Sequence, residues 1–93
     1  MHFYIDTHDK ANQTFPEGIS ALQLEEFYKS YQKACAEEGV ISVQINVGLN
    51  EGRAFCLNMA PSADAVKRVH DKVGLPYDTI TEVKTISPFD LIR

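Results

Sequence analysis

Residues 40–60, VISVQINVGLNEGRAFCLNMA, decide the fold. Apolar side chains recur there at every second position: Ile41, Val43, Ile45, Val47 and Leu49 on one side, Ser42, Gln44 and Asn46 on the other. That is the period of a strand with two unlike faces. Gly48-Leu49-Asn50-Glu51-Gly52 supplies a hairpin loop. The chain returns from Arg53 to Ala60, with Phe55, Leu57 and Met59 alternating against Ala54, Cys56 and Asn58. So short a connection makes the two strands antiparallel neighbours.

On each side of this hairpin the period changes to that of a helix. Upstream, Ser20 is an N-cap with Gln23 as its capping-box partner, and Ile19 and Leu24 occupy the positions of a hydrophobic staple. Leu24, Phe27, Tyr28, Tyr31 and Cys35 then follow at helical spacing up to the stop at Gly39. Downstream, Pro61-Ser62 ends the strand and caps a second helix whose Val66, Val69, His70 and Val73 share a side, closed by Gly74 and Pro76. A strand from His2 to His8 opens the chain, with Phe3 and Ile5 opposite His2, Tyr4, Asp6 and His8. A polar loop containing Asp9, Asn12, Gln13, Pro16 and Gly18 joins it to the first helix. A last strand is expected over Thr79 to Ile86, followed by a tail, 87–93, whose Phe89, Leu91 and Ile92 are expected to pack on the domain or on a second subunit.

The order βαββαβ, with right-handed crossovers, gives an α+β ferredoxin-like fold: an antiparallel sheet of order 4-1-3-2 with both helices on one face. Helices require an apolar face beneath them. The open face is therefore expected to carry His2, Tyr4, Asp6 and His8, then Ser42, Gln44 and Asn46, then Ala54, Cys56 and Asn58, turned to water, a partner subunit or a ligand cavity.

Composition agrees with one domain over residues 1–93: 44% hydrophobic, 24% charged and 10% aromatic in 93 residues. A domain of this size buries about 60–65% of its unfolded surface, which favours association into a dimer. A net charge of −4 opposes attraction to nucleic acids and anionic membranes. Cys35 and Cys56 have neither the density of a disulfide scaffold nor the spacing of a zinc site, so both are read as reduced thiols. The start lacks signal-peptide character and no apolar run is of membrane length, so a cytoplasmic location is expected. Patterns for a serine nucleophile elbow, HExxH, EF-hand or P-loop do not occur.

Chain direction brings reactive side chains to one corner. Asp6 and His8 end the first strand, Cys56 lies early in the third, His70 late in the second helix and Glu82 early in the last strand. Asp6 and His8 are two apart on a strand, about 6.5–7 Å between Cα atoms, a separation from which both side chains reach one ion. Each has an ordinary reading as well: a solvated pair, a core histidine bonded to a carbonyl, a small packing cysteine, an exposed glutamate.

At these same residues the chain resembles a family of small ferredoxin-like bacterial proteins whose characterised member binds nickel. The matching pieces are Ile5-Asp6-Thr7-His8, Glu38-Gly39-Val40, Phe55-Cys56-Leu57 with Ala60-Pro61-Ser62, then Ala65 with Val69-His70 and Gly74-Leu75, and Thr81-Glu82-Val83. The resemblance implies a homodimer whose sheets pair through their open faces into an α/β barrel, and a divalent metal ion, nickel first. Some relatives carry histidines where this chain has Val73 and Phe27-Tyr28, which implies weaker binding or another ion. Imidazole and carboxylate suit nickel, zinc, iron or copper, and an unselective site favours copper over nickel.

Three functions follow. The first is metal binding by Asp6, His8 and His70, with Cys56 and Glu82 as further ligands or supports. The second is a small-molecule isomerase, dehydratase or cofactor-free oxygenase using an imidazole oriented by a carboxylate. The third is a ligand-binding module without chemistry.

Overall fold

The computed structural model describes residues 1–86 and 88; Phe89, Leu91 and Ile92 of the tail lie outside them. The elements are β1 (His2–Asp9), a 3₁₀ turn (Lys10–Asn12), α1 (Ala21–Glu37), β2 (Ile41–Gly48), β3 (Arg53–Ala60), α2 (Ala63–Val73) and β4 (Thr79–Val83). The sheet runs β2-β3-β1-β4 with every neighbouring pair antiparallel. This is the ferredoxin-like arrangement expected from the sequence.

Both helix starts form as their cap residues dictate. Ser20 accepts from the Gln23 N–H while the Gln23 side chain accepts from the Ser20 N–H, a complete capping box. Ser62 caps α2 by accepting from the Ala65 N–H, and Gly74 ends it in the left-handed region at φ 67°. Glu38, one residue past α1, accepts from Arg68 (2.6 Å) and Lys72 (2.8 Å) of α2 and clips the two helices together at the surface. β4 is shorter than expected because its ladder follows β1: Val83 already pairs with Phe3, one residue from the start of that strand.

The sheet faces are the reverse of the expectation for β1 and β3. Tyr4, Asp6 and His8 are buried beneath the helices, as are Ala54, Cys56, Asn58 and Ala60, while Phe3, Ile5, Phe55, Leu57 and Met59 are left half-buried or exposed. β2 divides at a bulge. Ser42 pairs with Asn58 but Gln44 pairs with Leu57, so Val43 is the extra residue. Ile41 therefore joins Met59 on the open face, whereas Ile45 and Val47 turn inward opposite Cys56 and Ala54.

A rule that the more apolar face goes inside fails here for a definable reason. Polar groups are tolerated inside when they satisfy one another, and among the described residues no buried polar side-chain atom lacks a hydrogen-bond partner. The outcome is a polar cluster within the fold and an apolar strip outside it: Phe3, Ile5, Phe55, Leu57, Met59 and Val83, with Gln44, Asn46, Thr7, Thr79 and Thr81 around them.

Candidate metal centre

Asp6 and His8 project from the same face of β1 because they are two residues apart, and α2 brings His70 down onto them on its buried stripe with Val66 and Val69. Asp6 is 0% exposed, His70 1% and His8 3%. One ligand-competent atom from each lies within 4.8 Å of the other two. An ionised carboxylate at such depth persists only when its lone pairs are occupied.

They are occupied from three directions. Asp6 Oδ1 accepts from His8 Nε2 at 2.7 Å and from His70 Nε2 at 3.2 Å, and Oδ2 accepts from Asn58 Nδ2 at 2.6 Å. Asn58 Oδ1 in turn accepts from the Tyr31 hydroxyl at 3.2 Å. The far side of each imidazole is also anchored. His8 Nδ1 donates to the carbonyls of Pro76 (2.8 Å) and Thr14 (3.2 Å), and His70 Nδ1 donates to the Val66 carbonyl (2.8 Å). Ring packing completes the alignment: His70 stacks on His8 at 5.4 Å and meets Tyr31 and Tyr77 edge-on.

The loops carrying those carbonyls are tied to each other. Thr14 donates its hydroxyl to Asp78 Oδ1 at 2.7 Å and accepts from the Asp9 N–H, Asn12 reaches Asp78 Oδ2, and the Asp78 N–H bonds the Thr7 carbonyl. The segments before α1 and after α2 are thereby closed over His8. Gly52 contributes from the hairpin: its carbonyl accepts from the Lys10 N–H, its φ is +67°, and a side chain there would run into Lys10.

The donor set fits a transition-metal ion. Carbonyl oxygen only accepts, so both histidines carry hydrogen on Nδ1, and loss of the Nε2 hydrogen that points to Asp6 Oδ1 would leave each ring a lone pair directed into the cluster. Two imidazole nitrogens and a carboxylate oxygen directed at one point make a set suited to nickel, zinc, iron(II) or copper(II), each imidazole backed by an outer hydrogen bond.

Cys56 lies opposite Asp6 in the strand register and is buried. Burial and the Asp6 charge push its thiol well above the ordinary range, so in the metal-free protein it is a neutral neighbour. Glu82 is elsewhere. It pairs with Tyr4 at the sheet edge, and its carboxylate takes an exposed hydrogen bond from His2 at 3.1 Å. Asn58 and Tyr31 join the site through tertiary hydrogen bonds and carry no motif of their own. The available signal was that Asn58 follows Cys56 by two on the same strand face, diagonal to Asp6.

Burial by itself would raise the Asp6 pKa, but the hydrogen bonds from His70 and His8 outweigh it and hold the carboxyl at about 2, against 3.8 unperturbed. Burial would lower His8, and the Asp6 bond and charge reverse that to a net rise above 6.5. Linkage sets the signs. The Asp6 contribution is present above pH 3.8 and lost as pH falls toward 2; the His8 contribution is present below pH 6.5 and lost as pH rises through its folded value. Thermal melts with a chelator present should therefore fall on both flanks, acid and alkaline. A melting temperature flat from pH 6 to 9 would contradict the His8 bond.

Among the described residues no helix is long and apolar enough to cross a membrane, and both cysteines are free. A family model described as "Nickel responsive protein SCO4226-like" matches residues 4–83. The crystal structure of SCO4226 from Streptomyces coelicolor A3(2) resembles this fold with a TM-score of 0.77 and 29% sequence identity, covering 91% of this chain and 99% of that one. No curated protein matches.

Proposed function

The chain belongs to the SCO4226-like family of nickel responsive proteins, and from that premise we propose that it binds a divalent transition-metal ion, nickel first among candidates, through Asp6, His8 and His70. One observation carries the reading: two histidines pinned by carbonyls at Nδ1 direct their Nε2 atoms to the same carboxylate oxygen. An ion held by Asp6, His8 and His70 would require both Nε2 atoms in their deprotonated form and would supply a divalent positive charge beside the Asp6 carboxylate. What the residues themselves do is limited and definable. The carbonyls of Pro76, Thr14 and Val66 orient the rings, Asn58 holds the second carboxylate oxygen, and the surrounding fold excludes water.

This reading is favoured over acid–base catalysis because both Nε2 atoms face inward to Asp6, away from any approaching substrate. Calorimetric titration of untagged protein with nickel chloride is the test, since a histidine tag would supply its own site. One ion per chain is expected. His8→Ala and His70→Ala should each weaken binding at least about 100-fold, more than loss of an outer-sphere partner does. Equal affinity in the double variant would refute the assignment.

The same proposal includes a homodimer. The open sheet face presents a row of apolar side chains with a polar margin, the composition of an interface core and rim. A second copy of this chain offers the same strip, and face-to-face pairing would cover both.

A further inference from the structure

The open face of the sheet differs from one end to the other. At the end where β1 begins, Ile41, Met59, Phe3 and Val83 form a wholly apolar row in register across all four strands. At the other end the row is Asn46, Phe55, Thr7 and Thr79, with one apolar member. Two copies stacked face to face by a two-fold axis match apolar row to apolar row only when that axis runs parallel to the strands. An axis across the strands would set the apolar row against the polar one. The parallel axis exchanges the sheet edges, because β2 and β4 are the two outer strands. The end of β4 in one copy then stands over the start of β2 in the other.

β2 leaves apolar surface at that corner: Ile41 is 53% exposed, and Val43, the extra residue of the bulge, 45%. The chain that follows β4 carries the complement. Residues 86–92, ISPFDLI, include Ile86, Phe89, Leu91 and Ile92, and they lie beyond the residues 4–83 that the family model matches. Ile86 is 73% exposed, so its side chain finds no cover on its own copy among the described residues. The stretch from Lys84 to Arg93 reaches up to about 33 Å when extended, whereas the three strand spacings across a sheet are about 14 Å. We propose that residues 84–93 are an arm that crosses to a second copy of this chain and covers its Ile41 and Val43 with Phe89, Leu91 and Ile92. The inference rests on the homodimer of the preceding reading and adds to it the contact that joins the two sheet edges.

Sedimentation velocity of the metal-free chain tests the arm. Phe89→Ala combined with Leu91→Ala should raise the dimer dissociation constant at least about 100-fold, since symmetry counts every lost contact twice. Ile41→Ser, on the receiving side, should weaken the dimer of the unmodified chain but add little once the arm is altered, because the two changes remove one shared contact. In mixed dimers of isotope-labelled and unlabelled copies, NMR contacts from Phe89 and Leu91 to Ile41 and Val43 should arise between copies. A wild-type dimer whose affinity the arm variant leaves unchanged, or contacts confined to one copy, would overturn the arm while the dimer stands. A monomeric wild type would remove both.

Discussion

Asp6→Ala is expected to destabilise the metal-free protein by about 3–5 kcal/mol, the range for removing one partner of a buried charged group. Three donors converge on that carboxylate, His8 at 2.7 Å, His70 at 3.2 Å and Asn58 at 2.6 Å. Truncation leaves all of them facing a void where water has little room. Each unsatisfied buried group costs about 1–3 kcal/mol, and partial relaxation keeps the sum below the additive limit. Against a total stability of about 5–15 kcal/mol for a small domain, this is a large fraction. Asp6→Asn keeps the size and one acceptor oxygen but presents an amide to groups that also donate, so an intermediate loss is expected. Urea unfolding with a chelator present measures both. A change under about 0.5 kcal/mol for Asp6→Ala, the range of surface substitutions, would mean that the cluster is not the keystone of the interior.

Leu57→Glu is the second large effect. Leu57 lies at the middle of the open face, paired with Ile5 on one side and Gln44 on the other. In a face-to-face dimer its side chain meets the partner sheet, and a carboxylate there would be buried without a counter-charge. Such a burden is about 3 kcal/mol or more, equivalent to over 100-fold in dissociation constant. Sedimentation velocity should show wild-type dimer and variant monomer at the same tens-of-micromolar loading, and only the wild type should melt higher with rising concentration. Thr79→Ala, at the margin of the strip, should leave the dimer intact. A monomeric wild type, or a dimer that withstands Leu57→Glu, would remove this interface.

The two expectations differ in how far the chain announces them. Asp6, His8 and His70 could be brought to one corner from strand direction alone, because element order and crossover handedness specify which ends share an edge. Glu82 met the same directional criterion and sits with His2 at the sheet margin instead. Direction along a strand says nothing about how far across the sheet a side chain reaches. Tyr31 and Asn58 illustrate the opposite limit. Each looks ordinary in sequence, as an aromatic on an apolar stripe and a polar residue on a strand, and becomes part of the site only through a bond between elements 27 residues apart.

Period, caps and turn residues are local properties, carried by residues within a few positions of one another, so the sequence by itself determined the element order and the sheet order. It also determined the residue types of the candidate metal centre, since imidazole and carboxylate chemistry belongs to the side chains. Which face of the sheet is inside was decided only in three dimensions. Hydrophobicity favours burying Phe3, Ile5, Phe55 and Leu57, and they form the open strip instead, while Tyr4, Asp6, His8 and Asn58 lie beneath the helices. The physical reason is that burial of a polar group depends on whether partners from distant segments satisfy it. Here His70 from α2, Tyr31 from α1 and the carbonyls of Thr14 and Pro76 do so together.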